Sequence, residues 1–178
     1  MRRPGERASV GGWAVAALQT PVGVLEVHGD GAAIRRVRWP RAGGAAVIDE
    51  AAGRDPLLDE ALAQLQAYFD GSLRVFDLPL DLGAQTPATH AVLTTLHETV
   101  GFGATVTYGE LAARSGTTIP ARGIGSIMGA NPIPIIVPCH RVVAGDGLGG
   151  YSGGAPGDGL PTKRWLLGHE GALPAALF

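Results

Sequence analysis

The stretch from Asn131 to Val142 runs N-P-I-P-I-I-V-P-C-H-R-V and holds the chain's single cysteine, Cys139, directly before His140 and Arg141. A thiolate is a strong nucleophile, but an ordinary cysteine, with a pKa of about 8.5, is mostly protonated at neutral pH. It needs a base, and His140 is the adjacent candidate. Prolines 132, 134 and 138 fix φ and withhold a donor, so the segment is expected as a stiff, extended lead-in and not a helix. Ile133, Ile135, Ile136 and Val137 supply the apolar, β-branched material that buries such a segment. Neighbours in an extended segment point to opposite faces, which makes direct contact between Cys139 and His140 awkward. Two uses of Cys139 fit these residues equally: a nucleophile held still, or one small buried hydrophobe among others.

The elements around this segment divide the chain. Residues 1–12 form a polar, frayed start, and Trp13 to Trp39 alternates as strands separated by the turns T-P-V-G and G-D-G. Residues 40–55 are expected as a loop. Leu57, Leu58, Leu62, Leu65 and Phe69 recur at helical spacing, with Asp55 as N-cap and Gly71 beyond the end. R-V-F-D-L-P-L-D-L, residues 74–82, alternates as a final strand. This first part, residues 1–85, is an α+β domain in which nothing looks catalytic. Gly83 to Thr86 is the linker, and residues 86–178 form a mainly helical domain. Thr86-Pro87 opens a helix to about Glu98. Thr107 caps a short helix from Tyr108 to Arg114, stopped by Ser115-Gly116, and T-T-I-P leads into another from Pro120 to Gly129. Two short helices joined by a tight turn make either a helix-turn-helix unit or ordinary helix packing. On the second of them Ala121, Gly125, Ser126 and Gly129 are small, and Arg122 is the one long cation. Readers of the major groove usually present long polar side chains; a smooth helix suits the minor groove.

Bulk properties narrow the classes. The 178 residues are 46% hydrophobic and 17% charged, with no apolar run near membrane-spanning length, so a membrane role is not expected. Met1-Arg2-Arg3 is followed by G-E-R-A-S and not by an apolar core, so no secretory signal is visible. A lone cysteine makes no intramolecular disulfide and too few soft ligands for a Cys-rich zinc site, so no metal is expected. An active thiol needs a reducing compartment, which makes the cytoplasm the expected location. A formal net charge of −2 argues against binding nucleic acid through sheer charge. Any DNA contact would be local, through helix N-termini, backbone amides and a few arginines.

Taken with T-Y-G-E-L-A at 107–112, G-G-Y-S-G-G at 149–154 and K-R-W-L-L-G-H-E-G at 163–171, the P-C-H-R-V block resembles the O6-alkylguanine-DNA alkyltransferases. The resemblance covers residues 56–171 well and the first fifty-five loosely. It implies an α+β fold: an N-terminal ribonuclease H-like domain, then a helical domain with a winged helix-turn-helix-like unit. It implies DNA repair by single-turnover transfer of the alkyl group from O6-alkylguanine to Cys139, with O4-alkylthymine as a second candidate lesion. The resemblance further implies that a water relays between His140 and the sulfur and that Glu170 orients the imidazole. Tyr108 would bond the purine or ease phosphate repulsion, and Asn131 would tie the recognition helix to the active-site loop. Ala121, Arg122, Gly125 and Ser126 would meet the minor groove of double-stranded DNA, with Arg122 replacing the flipped-out nucleotide. The Ser152 amide would bond guanine O6, Gly153 would let the backbone come close, and Tyr151 and Pro134 would wall the pocket. Carbonyls of Cys139 and Val142 would read the exocyclic amine, and Arg141 would brace loops. No cofactor is implied, and a monomer is expected.

Several positions depart from the family's pattern. Ala88, Thr89 and Leu93 stand where larger residues are usual, Gly123 follows Arg122 where alanine is typical, and Ser126 replaces a glycine. The loop at 101–104 is a residue longer than usual, and residues 155–161 lengthen the loop before Glu170. A DNA-binding lesion sensor without transfer is a competing reading that the presence of Cys139 opposes. A cysteine hydrolase built on Cys139, His140 and Glu170 is another; it would turn over and need no DNA helix.

Overall fold

Alternation and turn chemistry build the first sheet of the computed structural model, which describes residues 13–40 and 55–173. The expected frayed start at 1–12 and nearly all of the expected loop after Pro40 lie outside those residues. Strands β1 (Ala14–Thr20), β2 (Gly23–Gly29) and β3 (Ile34–Arg38) form an antiparallel sheet in the order β1-β2-β3. Leu25 and Val27 on β2 and Ile34 and Val37 on β3 fall on one face and are buried. Helix α1 (Pro56–Phe69) covers that face with Leu58, Ala61, Leu65, Tyr68 and Phe69. Its start is set by Asp55, whose side chain accepts the Leu57 amide, and by Pro56 in the first turn.

The expected final strand at 74–82 does not form. The segment touches β3 at one isolated bridge, Ile34 with Leu80, where the Ile34 amide donates to Pro79 O at 2.8 Å. Pro79 has no amide to continue a ladder. The free edge of β3 is completed instead from the second half of the chain: the Val37 amide donates to Pro132 O at 3.0 Å.

The C-terminal part is helical. Helix α2 (Pro87–Thr99) starts at Thr86, whose hydroxyl accepts the Thr89 amide, so one of the small departures, Thr89, sits in the cap. Leu93 is buried in the core. Strand β4 (Val106–Thr107) leads into α3 (Tyr108–Arg114) through a full capping box between Thr107 and Glu110. Helix α4 (Ala121–Gly129) follows after a turn and packs on α3. It buries Ile124, Ile127 and Met128 and leaves Ala121, Arg122 and Ser126 exposed. Gly123, half-buried, is explained by packing: a Cβ there would stand 2.7 Å from Ile119 Cγ2. Strand β5 (Val142–Val143) pairs in parallel with β4, and α5 (Gly159–His169) ends at Glu170.

The lead-in is buried as expected but is not extended. Pro134 bridges to Val137, the Val137 amide returns to Ile133 O at 2.9 Å, and Ile135 has φ of +74°. A β-branched residue in the left-handed region is costly and persists only when its surroundings impose it. Here the imposing force is burial, since Ile133, Ile135, Ile136 and Val137 are each no more than 3% exposed. The prolines fix φ at three positions; they leave the chain free to turn between them.

Candidate active site

Cys139, His140 and Arg141 form one turn of 3₁₀ helix, not an extended run. The turn removes the alternation expected of neighbours and sends both His140 and Arg141 to one carboxylate. Glu170, 5% exposed, accepts from His140 Nε2 at 2.8 Å and from Arg141 Nε and Nη2 at 2.8 and 3.0 Å. Two further donors reach it: Tyr68 Oη at 2.7 Å and the Gly103 amide at 3.4 Å. The remaining Arg141 arm donates to Val100 O at 2.7 Å. Burial alone would raise the Glu170 carboxyl, but the hydrogen bonds and charges of His140 and Arg141 outweigh it and hold it well below the usual range. The longer loop at 155–161 has therefore not carried Glu170 away, and the longer loop at 101–104 supplies a donor to it.

This geometry fixes the imidazole. An ionised carboxylate only accepts, so Nε2 carries the hydrogen and Nδ1 is the basic nitrogen. Nδ1 is buried with no hydrogen-bond partner among the described residues. Burial lowers the His140 pKa, with Glu170 opposing, so the ring is neutral near pH 7 and able to take a proton. Burial pushes the Cys139 thiol up, against the Asn131 amide and the Lys163 charge, and the buried Tyr151 hydroxyl makes no hydrogen bond among the described residues. The thiol is thus protonated at rest and needs that base.

Asn131 ties the end of α4 to the turn, donating from Nδ2 to Val137 O at 2.8 Å and accepting the Ile133 amide at 3.1 Å. Lys163 is fully buried and its ammonium bridges Val142 O and Gly150 O at 2.6 and 2.9 Å. Burial lowers it to about 8, opposed by Cys139. The Val142 carbonyl, expected to face an exocyclic amine, already accepts from this lysine; one lone pair remains. Tyr108 Oη donates to Gly150 O at 3.4 Å, and a Cβ on Gly125 of α4 would stand 3.9 Å from its ring. The Tyr151 ring is pressed on by Gly153, where a Cβ would fall 2.5 Å from Cε1. Ser152 reaches Gly129 O, so the C-terminal end of α4 borders the same turn. Tyr151, Ser152 and Gly153 line a cavity of about 630 Å³; Pro134 and Val142 do not.

Two residues of this site were absent from the sequence expectations for it. Tyr68 lies on α1, in the half where nothing looked catalytic, 102 positions from Glu170. Its spacing matches any core aromatic, and no local signal marks its hydroxyl. Lys163 stood inside a quoted motif but carried no assigned contact.

A cysteine, a neutral histidine with a free buried nitrogen and an orienting carboxylate make a nucleophile–base–orienter set. Residues 87–172 match the family described as 6-O-methylguanine DNA methyltransferase, DNA binding domain, and residues 14–82 match its ribonuclease-like domain. The chain belongs to this family. The methylated-DNA–protein-cysteine methyltransferase of Mus musculus is 44% identical over 123 residues, which is 66% of this chain and 56% of the mouse protein. The chain thus spans little more than half the length of that relative. The crystal structure of the Mycobacterium tuberculosis O6-methylguanine methyltransferase superposes with a TM-score of 0.75 at 35% identity, covering 92% of this chain and 96% of that one. The same protein in complex with DNA gives 0.72 at 35% identity, covering 92% and 97%. Alkyltransferase relatives thus share the fold across both parts of the chain. Among the described residues no helix is long and apolar enough to cross a membrane, and no cluster of metal-ligating side chains occurs.

Proposed function

We propose that this chain repairs DNA by moving an alkyl group from guanine O6 to Cys139, once per molecule. The observation that carries the reading is the 3₁₀ turn in which a buried thiol directly precedes a neutral imidazole whose only hydrogen bond among the described residues is to Glu170. His140 Nδ1 takes the thiol proton through the water that the resemblance implies. Sulfur then attacks the alkyl carbon in line, the S–C bond forms as the C–O6 bond breaks, and the electron pair leaves on guanine. Lys163 holds a positive charge near the sulfur and favours its thiolate. The Ser152 amide meets O6, and the Tyr108 phenol offers a proton to the departing purine. The product is a thioether with no route to hydrolysis, so a second turnover is not expected.

The DNA face in this proposal is the exposed side of α4, with Ala121, Arg122, Gly125 and Ser126 against the minor groove and Arg122 in the gap left by a flipped base. The domain boundary falls at residues 85–86, the protein acts as a monomer without a cofactor, and the thiol requires a reducing compartment such as the cytoplasm. Intact-mass analysis after incubation with a duplex containing O6-methylguanine tests the proposal: the protein gains one methyl group and the C139A variant gains none. Transfer by C139A at the wild-type rate, or repeated turnover, would sink it.

A further inference from the structure

The exposed side of α4 carries one long cation, Arg122, and a formal net charge of −2 adds no general attraction to nucleic acid. Strand β3, by contrast, has three arginines among its five residues. Arg36 lies opposite His28 and Arg38 opposite Glu26 on β2, so both leave the sheet on the face away from α1. Arg35 has no charge to spare, with Nε on Asp30 at 2.6 Å and another nitrogen on Asp81. Arg38 places Nε on the buried Glu26 at 2.6 Å; half its side chain is exposed, which leaves its outer nitrogens free to donate. Arg36 makes no ion pair among the described residues. Its guanidinium lies over the Trp13 ring, 5.9 Å from the centroid, and both side chains are exposed.

These side chains border a groove of about 840 Å³ between the sheet and the second half of the chain. The sheet contributes Trp13, Arg36 and Arg38 to its lining, and the end of α4 contributes Gly129, Ala130 and Asn131. Gly129 is also the last member of the smooth side of α4, since Ala121, Arg122, Gly125, Ser126 and Gly129 recur at helical steps. A strand of DNA lying along that side runs from Arg122 to the mouth of the groove. The distance is about 10 Å of helix, roughly three base steps of ~3.4 Å. Guanidinium groups beside an exposed indole match what such a strand offers, phosphates and base faces.

We infer that Arg36 and Arg38 of β3, steadied by Trp13, extend the DNA interface beyond α4 and hold phosphates of the strand that flanks the lesion. The inference rests on the proposed DNA face of α4. Fluorescence anisotropy of a labelled duplex with the full chain, repeated across a salt series, tests it. R36A weakens binding several-fold at low salt and lowers the slope of log affinity against log salt by about one, as for the loss of a single phosphate contact. Arg36 leaves no carboxylate unpaired when it is removed. R38A is therefore combined with E26Q, and the variant carrying R36A, R38A and E26Q lowers the slope by about two. R36K keeps most of the slope, because a phosphate accepts from an ammonium as well. Transfer from free O6-benzylguanine stays at the wild-type rate in every variant, since no reacting group is touched. Affinity and slope unchanged in R36A, or transfer from the free base falling in step with binding, would overturn the groove as a DNA surface while leaving alkyl transfer intact. A wild-type chain that transfers from the free base yet binds no duplex overturns the groove and the α4 face together.

Discussion

Glu170 collects more charge-assisted contacts than any other described side chain: an imidazole, two guanidinium nitrogens, a phenol and a backbone amide. Replacing it by glutamine puts an amide NH₂ where one oxygen had accepted several of these donors, and leaves Arg141 buried without its counter-charge. E170Q should slow transfer by a factor within the ~10²–10⁴ typical of acid–base assistance. An unchanged rate would show that the imidazole needs no orienting. Stability carries a separate signature. A carboxyl held below its usual range stabilises the fold in full above about pH 4.3, and that contribution is lost as pH falls toward the lower folded value. The Tm gap between wild type and E170Q should therefore be widest near neutrality and narrow below about pH 4; a gap independent of pH would contradict it. At this scale the residues that meet at the candidate site were legible: one cysteine, the histidine after it, and a G-H-E-G glutamate. Their shared geometry was not, because the 3₁₀ turn at Cys139 is set by packing that no local pattern encodes.

Helix α4 was legible in extent and in its smooth outer side, since Pro120, a Gly-rich run and the buried trio Ile124, Ile127 and Met128 all point one way. The alternative role weighed for Arg122 was a salt bridge, yet it is exposed and makes no ion pair among the described residues. R122A should reduce repair of a lesion in duplex DNA by about tenfold or more, since a flipped base otherwise leaves an unfilled stack. Transfer from free O6-benzylguanine should hardly change, because nothing is extruded there. R122K should recover only part of the duplex rate, as an ammonium cannot stack as a planar guanidinium does. Equal losses on both substrates would remove Arg122 from base flipping. The lead-in was the element least legible. Its isoleucines and valine announced burial correctly, but the reversal at Ile135 and the return of Val137 to Ile133 depend on four apolar side chains finding one core. Residues 74–82 misled for the related reason that alternation signals two faces, not a partner strand.

The two parts of the chain share the site. Tyr68 is fully buried on α1, yet its hydroxyl ends on Glu170, and Trp39 of the sheet backs Tyr151. Y68F should lower stability by about 1.5–3 kcal/mol, the range for a hydrogen bond to a charged group. It should also slow transfer, because the imidazole loses part of its support. Chemical denaturation and single-turnover kinetics on the same preparation check both, and a stability loss with no change in rate would confine Tyr68 to packing. Neither contact could be foreseen: each joins residues about a hundred positions apart through side chains whose spacing marks them only as core. The amide of Val37 extends the same sharing to the backbone. It faces away from β2 and donates to Pro132 O, just upstream of the turn that holds the thiol. In deuterated solvent that hydrogen can exchange only when the sheet lifts from the lead-in. One backbone proton, remote in sequence from Cys139, His140 and Glu170, thus carries a clock for how often the candidate site comes apart.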